Sequence, residues 1–253
     1  MCLMKPKTIP NIISFDKIAD SISLDPSFYQ NIVRIIGPLS SSEKILDVGC
    51  GNGNLLEMIN RASPRVQLVG LDFSPGLLKN ARIRLKNKAR LVNGDALALP
   101  FSNNEFDVVI LSEVLEHLSN PSKGLAEAKR VLKKNGRFLL TFPNASSYWP
   151  FYPWVKNLPQ GKLRFIFTPP EAPEKTRQPQ DCCLYFRKVI KLLKKVGFRI
   201  KIIQGTTFFH YLGEIPLISS FIIFAWRKTP FDKILNKLIG PRWAYRVFVE
   251  AAK

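Results

Sequence analysis

The chain has 253 residues, 46% of them hydrophobic and 23% charged, and a mean hydropathy of −0.01. Those values fit a soluble globular protein of one large domain, or one domain with insertions, and exclude disorder over most of its length. Lys and Arg number 38 against 19 Asp and Glu, giving a net charge of +19 and a pI of about 10.0, a positive field that suits nucleic acid, anionic lipid or phosphorylated partners and equally a solvated, repulsive surface.

At the N-terminus, MCLMKPKTIPNIISFDK lacks the apolar run and small-residue cleavage site of a secretory leader. The cysteines Cys2, Cys50, Cys182 and Cys183 make no C-x-x-C pair and no zinc or disulfide spacing, so a cytoplasmic chain in a reducing compartment is expected. Asp25 and Pro26 read as the cap and first residue of a helix over SFYQNIVRIIG, closed by Gly37-Pro38. Residues 1–40 thus form an N-terminal helical lid segment ahead of a main domain over 41–253.

From Glu43 onward a regular alternation begins. Strands are predicted at 44–48 (KILDV), 66–71 (VQLVGL), 89–93 (ARLVN), 106–111 (FDVVIL), 137–142 (RFLLTF), 198–203 (FRIKII) and 244–251 (AYRVFVEA). GNLLEMINRA, PGLLKNARIRLKN, PSKGLAEAKRVLKK and FRKVIKLLKKV, each with apolar residues at three-to-four spacing, are the predicted helices. Strand and helix in repeated alternation predict an α/β fold, a Rossmann-like three-layer sandwich whose sheet is covered on both faces. Two stretches interrupt it, at about 143–181 (YWPFYPW, TPPEAPEKTRQP) and about 206–243 (IPLISSFIIFAW, then the basic amphipathic PFDKILNKLIGPRW). Insertions of this kind shape substrate pockets or elaborate a surface.

The first strand ends at Asp47 and runs into Gly49-Cys50-Gly51-Asn52-Gly53-Asn54 before a helix. Glycine lets backbone approach a ligand lying across the carboxyl ends of parallel strands, and Asp47 can hold an ammonium group there. The G-x-G turn also serves dinucleotides, but their third glycine falls on Asn54, which disfavours that reading. Asp72 in LVGLDFS, followed by Phe73, stands where a carboxylate accepts hydrogen bonds from a ribose diol. Asp95 and Ala96 in NGDALALPF stand where an adenine amino group and ring face are met.

In order, ILDVGCGNGNLL, LVGLDFS, NGDALALPF, FDVVILSEVLEHL and LKKNGRFLLTFPN resemble the motifs of class I S-adenosylmethionine-dependent methyltransferases, strongly over residues 40 to 145. The resemblance implies S-adenosylmethionine as cofactor, with Asp47, Gly49, Cys50, Gly51, Asn52, Gly53, Asp72, Phe73, Asp95, Ala96 and Ser112 as its binding residues. It also implies the strand order 3-2-1-4-5-7-6 with the last strand antiparallel. The helix ending in VGF, then RIKII, extends it to about residue 204.

Glu113, Glu116 and His117 have i, i+3, i+4 spacing, which places two carboxylates and an imidazole on one face if the turn is helical. Such a cluster can bind a divalent metal or act as general base, with Glu113 and His117 the catalytic candidates. The E-x-x-E-H spacing is similar to that of ubiquinone-pathway O-methyltransferases and of small-RNA terminal 2′-O-methyltransferases, where it contributes metal ligands. The RNA enzymes complete their site with a later His, and QPQDCCLYF here has none. The alternative is that this segment only shapes the loop under the cofactor. His210, Cys182 and Cys183 read as packed residues.

The acceptor is expected to be a small molecule or lipid, methylated at oxygen. The apolar 206–226 stretch, followed by Arg227, Lys228, Lys233, Lys237, Arg242 and Arg246, reads either as an interfacial anchor or greasy substrate lid whose basic residues face anionic headgroups, or as a packed or dimerising segment. FDKIA at 15–19 resembles the N-terminal segment of quinone-biosynthesis methyltransferases. An RNA acceptor and a non-catalytic cofactor-binding subunit are the alternatives.

Overall fold

The computed structural model describes residues 26–144, 184–206, 234, 237–238 and 240–253. Most of both insertions, His210, Cys182, Cys183, Cys2, the FDKIA segment and the Asp25 cap lie outside them. Helix α1 (Pro26–Ile36) comes first, followed by strand β1 (Lys44–Val48), α2 (Asn54–Ala62), β2 (Gln67–Asp72), α3 (Pro75–Leu85) and β3 (Arg90–Asn93). Then come β4 (Phe106–Ser112), a single 3₁₀ turn (Leu115–His117), α4 (Pro121–Val131), β5 (Leu132–Pro143), α5 (Phe186–Val196), β6 (Arg199–Thr206) and β7 (Arg246–Ala252).

The seven strands form one sheet in the order β3-β2-β1-β4-β5-β7-β6. Strands β1 to β5 pair in parallel, and β7 runs antiparallel to both β5 and β6. This is the expected order and the expected antiparallel strand. Because side chains alternate along a strand, the sheet feeds two cores. Ile45, Val108, Ile110, Leu139 and Phe248 point to one face and pack with Phe28, Ile32 and Ile36 of α1 and with α2 and α3. Leu46, Val48, Val109, Leu111, Phe138 and Leu140 point to the other, under α4 and α5.

The helices form where their apolar residues recur and caps are at hand. On α3, Pro75 occupies the first turn and the Ser74 hydroxyl accepts from the Leu77 N–H at 3.1 Å. Helix α4 begins at the Asn120 cap and ends at Val131, three residues short of the sequence expectation. The difference arises because Leu132 already pairs with Phe106 in the sheet. The strand order reverses between β1 and β4, so the crevice beyond their carboxyl ends is where such a sheet takes a ligand.

Candidate functional site

A cavity of about 300 Å³ opens at that crevice. Its wall includes Asp47, Gly49, Cys50, Gly51, Asn52, Asp72, Phe73, Asp95, Ala96, Ser112, Glu113 and His117 from the sequence expectation. Tyr29 of α1, Val114, Leu118 and Ser119 were not foreseen and line it as well.

The glycine turn is fastened to β2, since the Gly49 and Cys50 N–H groups both donate to the Leu71 carbonyl, at 2.7 and 3.0 Å. Gly51 has φ +53°, and a Cβ built there meets nothing within 4 Å, so its backbone faces open cavity. Asp72 joins the same assembly: its Oδ2 accepts from Gly51 N at 2.8 Å and its Oδ1 from Ser74 N at 2.9 Å. Asp95 is exposed at the rim, where its Oδ1 accepts from Leu97 N at 2.8 Å, a turn that sets Ala96 and Leu97 on the wall.

Asp47 is 2% exposed at the end of β1, and burial, then the nearby charge of Asp72, pushes its carboxyl from 3.8 up to about 8. The same causes push the Cys50 thiol up, with burial first and the charges of Asp47 and Asp72 next, so Cys50 serves as a small packed side chain against Gly70.

Two residues depart from expectation. Gly53 is not on the cavity wall. A Cβ there would press on Leu85 Cδ1 at 3.0 Å and Ala81 Cβ at 3.2 Å, so this glycine lets α2 and α3 approach each other. Glu116 is also off the wall, buried at 6% exposure, with its Oε1 4.0 Å from His117 Nε2.

The one-face cluster of Glu113, Glu116 and His117 does not form, because the helical turn covers only Leu115–His117 and Glu113 precedes it with φ +54°. Glu113 turns back to the sheet instead. Its N–H donates to the Thr141 carbonyl (3.2 Å) and hydroxyl (3.1 Å), its Oε1 accepts from that hydroxyl at 3.0 Å, and its Oε2 accepts from Arg246 Nε at 3.3 Å. No group of three His, Cys, Asp or Glu side chains stands together as a metal site among the described residues. Sequence reasoning missed Thr141 and counted Arg246 among cations facing anionic headgroups, whereas it is turned to Glu113; a polar residue inside each of two apolar strands was the visible signal.

Residues 46–140 match the methyltransferase domain family. A demethylmenaquinone methyltransferase of Thermotoga maritima is 32% identical over 135 residues, covering 50% of this chain and 58% of that protein. The ubiquinone/menaquinone biosynthesis C-methyltransferase of Citrifermentans bemidjiense is 30% identical over 152 residues, 55% of this chain and 64% of that one. The chain therefore matches less than two thirds of the length of these relatives. The phosphoethanolamine N-methyltransferase 2 of Haemonchus contortus, solved with S-adenosyl-L-methionine, shares the fold at a TM-score of 0.61 and 20% identity, over 96% of this chain and 56% of that one. Residues 46–140 thus carry a match to the methyltransferase domain, and the motif order and sheet order are those expected of class I S-adenosylmethionine-dependent methyltransferases.

Proposed function

We propose that this chain transfers a methyl group from S-adenosylmethionine to a small or lipid-like acceptor of the quinone-precursor kind. The observation that carries the reading is the Gly51–Asp72 assembly on the cavity wall: a left-handed glycine facing open cavity, its N–H bonded to a buried carboxylate at the end of β2. The residues present fit the nucleoside. Asp72 would take the ribose hydroxyls, Asp95 and Ala96 the adenine, and Asp47 the ammonium, with Gly49, Cys50, Gly51, Asn52, Phe73 and Ser112 shaping the remaining wall.

The cofactor supplies an electrophilic methyl on a sulfonium; the chain supplies proximity, orientation and a proton acceptor. His117, on the cavity wall and 30% exposed, is the candidate base for an acceptor hydroxyl. An ionised aromatic hydroxyl is nucleophilic at oxygen and at the neighbouring ring carbon. The same base thus serves the oxygen chemistry we favour and the carbon chemistry in the name of the Citrifermentans relative. Product analysis by mass spectrometry and NMR separates them. If replacing His117 leaves both turnover and its pH dependence unaltered, the base assignment falls.

Calorimetry with S-adenosylhomocysteine tests the cofactor site. Binding is expected in the wild type, and Asp72→Ala should weaken it by at least about a hundredfold, the lower end of what two hydrogen bonds to a charged group contribute. No binding, or binding unchanged in the variant, refutes the site.

A peripheral position on the cytoplasmic face of a membrane is part of the proposal. It is supported by α5, which exposes Arg187, Lys188, Lys191, Lys194 and Lys195 and contains no acidic residue. RNA would suit the same charge. Incorporation of labelled methyl into total RNA instead of a lipid extract would favour that reading, and incorporation into neither would favour a non-catalytic subunit.

A further inference from the structure

Arg246 does not line the cavity, yet it is bonded to a residue that does. Its guanidinium does two jobs at once: Nε meets Glu113 Oε2, and Cζ lies over the Phe28 ring on α1, 4.7 Å from its centre. Phe28 is buried, 5.7 Å from the ring of Phe248 on β7, and lies edge-on to Tyr29 at 5.4 Å. Tyr29 is the α1 residue on the cavity wall. A continuous set of contacts therefore runs from Thr141 on β5 through Glu113 and Arg246 to the helix that supplies one wall of the site.

We propose that Arg246 and Glu113 form a positioning pair that holds α1 so that Tyr29 closes the cavity, with Glu113 serving ligand binding through that wall and not as a proton acceptor. This rests on the reading that the cavity takes the S-adenosyl nucleoside. Only a planar guanidinium offers an N–H edge to a carboxylate and a flat face to a ring together; a lysine ammonium keeps the charge and loses the face.

The experiment is a double-mutant cycle read by calorimetry, with S-adenosylhomocysteine as the probe and thermal melting to confirm folding. Arg246→Met should weaken binding about tenfold, while Arg246→Lys and Glu113→Gln should each weaken it less. In a Tyr29→Ala background, Arg246→Met should change affinity by less than about twofold, because the wall it positions is already gone. An Arg246 that matters only for general stability would cost the same factor in both backgrounds, and that result overturns the proposal. So does full affinity in Arg246→Met. If Arg246→Met does not fold, the same cycle is run with Arg246→Lys and Glu113→Gln, and equal losses with and without Tyr29 again overturn it. Failure of the wild type to bind the probe defeats the cofactor reading itself, and this inference with it.

Discussion

Asp47 shows how a single carboxyl can be tuned by where a strand ends. Its backbone pairs with Gly70 and Ile110 in the centre of the sheet, so its side chain is surrounded by protein on every side except the cavity. Burial raises its pKa to about 8, with Asp72 adding to the shift. A ligand ammonium would reverse this by favouring the charged form, so binding must expel a proton. S-adenosylhomocysteine affinity is therefore expected to rise with pH between about 5.5 and 7, a window in which the ligand's amine, a free amino-acid ammonium more basic than a peptide N-terminus, stays protonated. Calorimetry in buffers of different ionisation enthalpy should show proton release at pH 7. The effect should vanish in Asp47→Asn, and proton uptake or no pH dependence in the wild type would contradict the assignment.

The same shift has a consequence for stability, and its sign is fixed. Below the ordinary value of 3.8 both folded and unfolded chains hold the proton; from there to about 8 the unfolded chain releases it and the folded chain keeps it. Stability contributed by neutral Asp47 is therefore lost as pH rises through that window.

Among the elements, α1 is the one whose status most affects the architecture. Ile32 and Ile36 of α1 are 0% and 2% exposed, and they pack with Ile45, Val108 and Ile110 of the central strands. We therefore expect Ile32→Ala to lower unfolding free energy by about 2–5 kcal/mol, the range for truncating a fully buried aliphatic residue. Chemical denaturation should show the midpoint fall with the slope unchanged. A detachable N-terminal lid would leave the midpoint where it was.

Most elements were legible in the sequence. The β1 run KILDV and the α5 run FRKVIKLLKKV have their expected bounds, because a continuous apolar run and a clean three-to-four spacing each admit one reading. The segment after β4 was not legible. Spacing in E-V-L-E-H suggests a helix face, but one turn is too short for periodicity to establish, and Thr141 and Arg246 pull Glu113 into the left-handed region. The cofactor-side residues were visible because they lie in local motifs at strand ends. Tyr29 and Arg246 were not, because what places them is contact between segments far apart in the chain.

At the scale of the whole molecule, the +19 charge is unevenly explained. Several cations have carboxylate partners, such as Lys44 with Glu105, Lys133 with Asp107 and Arg84 with Glu57. The five on α5 have none among the described residues, while Val189 and Leu193 of that helix are buried in the core. No described helix is long and apolar enough to cross a membrane. Each Lys or Arg near an anionic bilayer contributes about 1 kcal/mol at low ionic strength, falling off within a Debye length of about 8–10 Å at ordinary salt. The protein should therefore co-float with vesicles rich in anionic lipid at low salt, release as salt is raised, and ignore neutral vesicles. Changing Lys188, Lys191 and Lys195 together to Glu reverses three of those charges on exposed side chains away from the cavity wall. Flotation should be lost in that variant with S-adenosylhomocysteine affinity intact. Flotation unaffected by the triple change would locate the membrane contact elsewhere, and no flotation at low salt would sink the peripheral reading altogether.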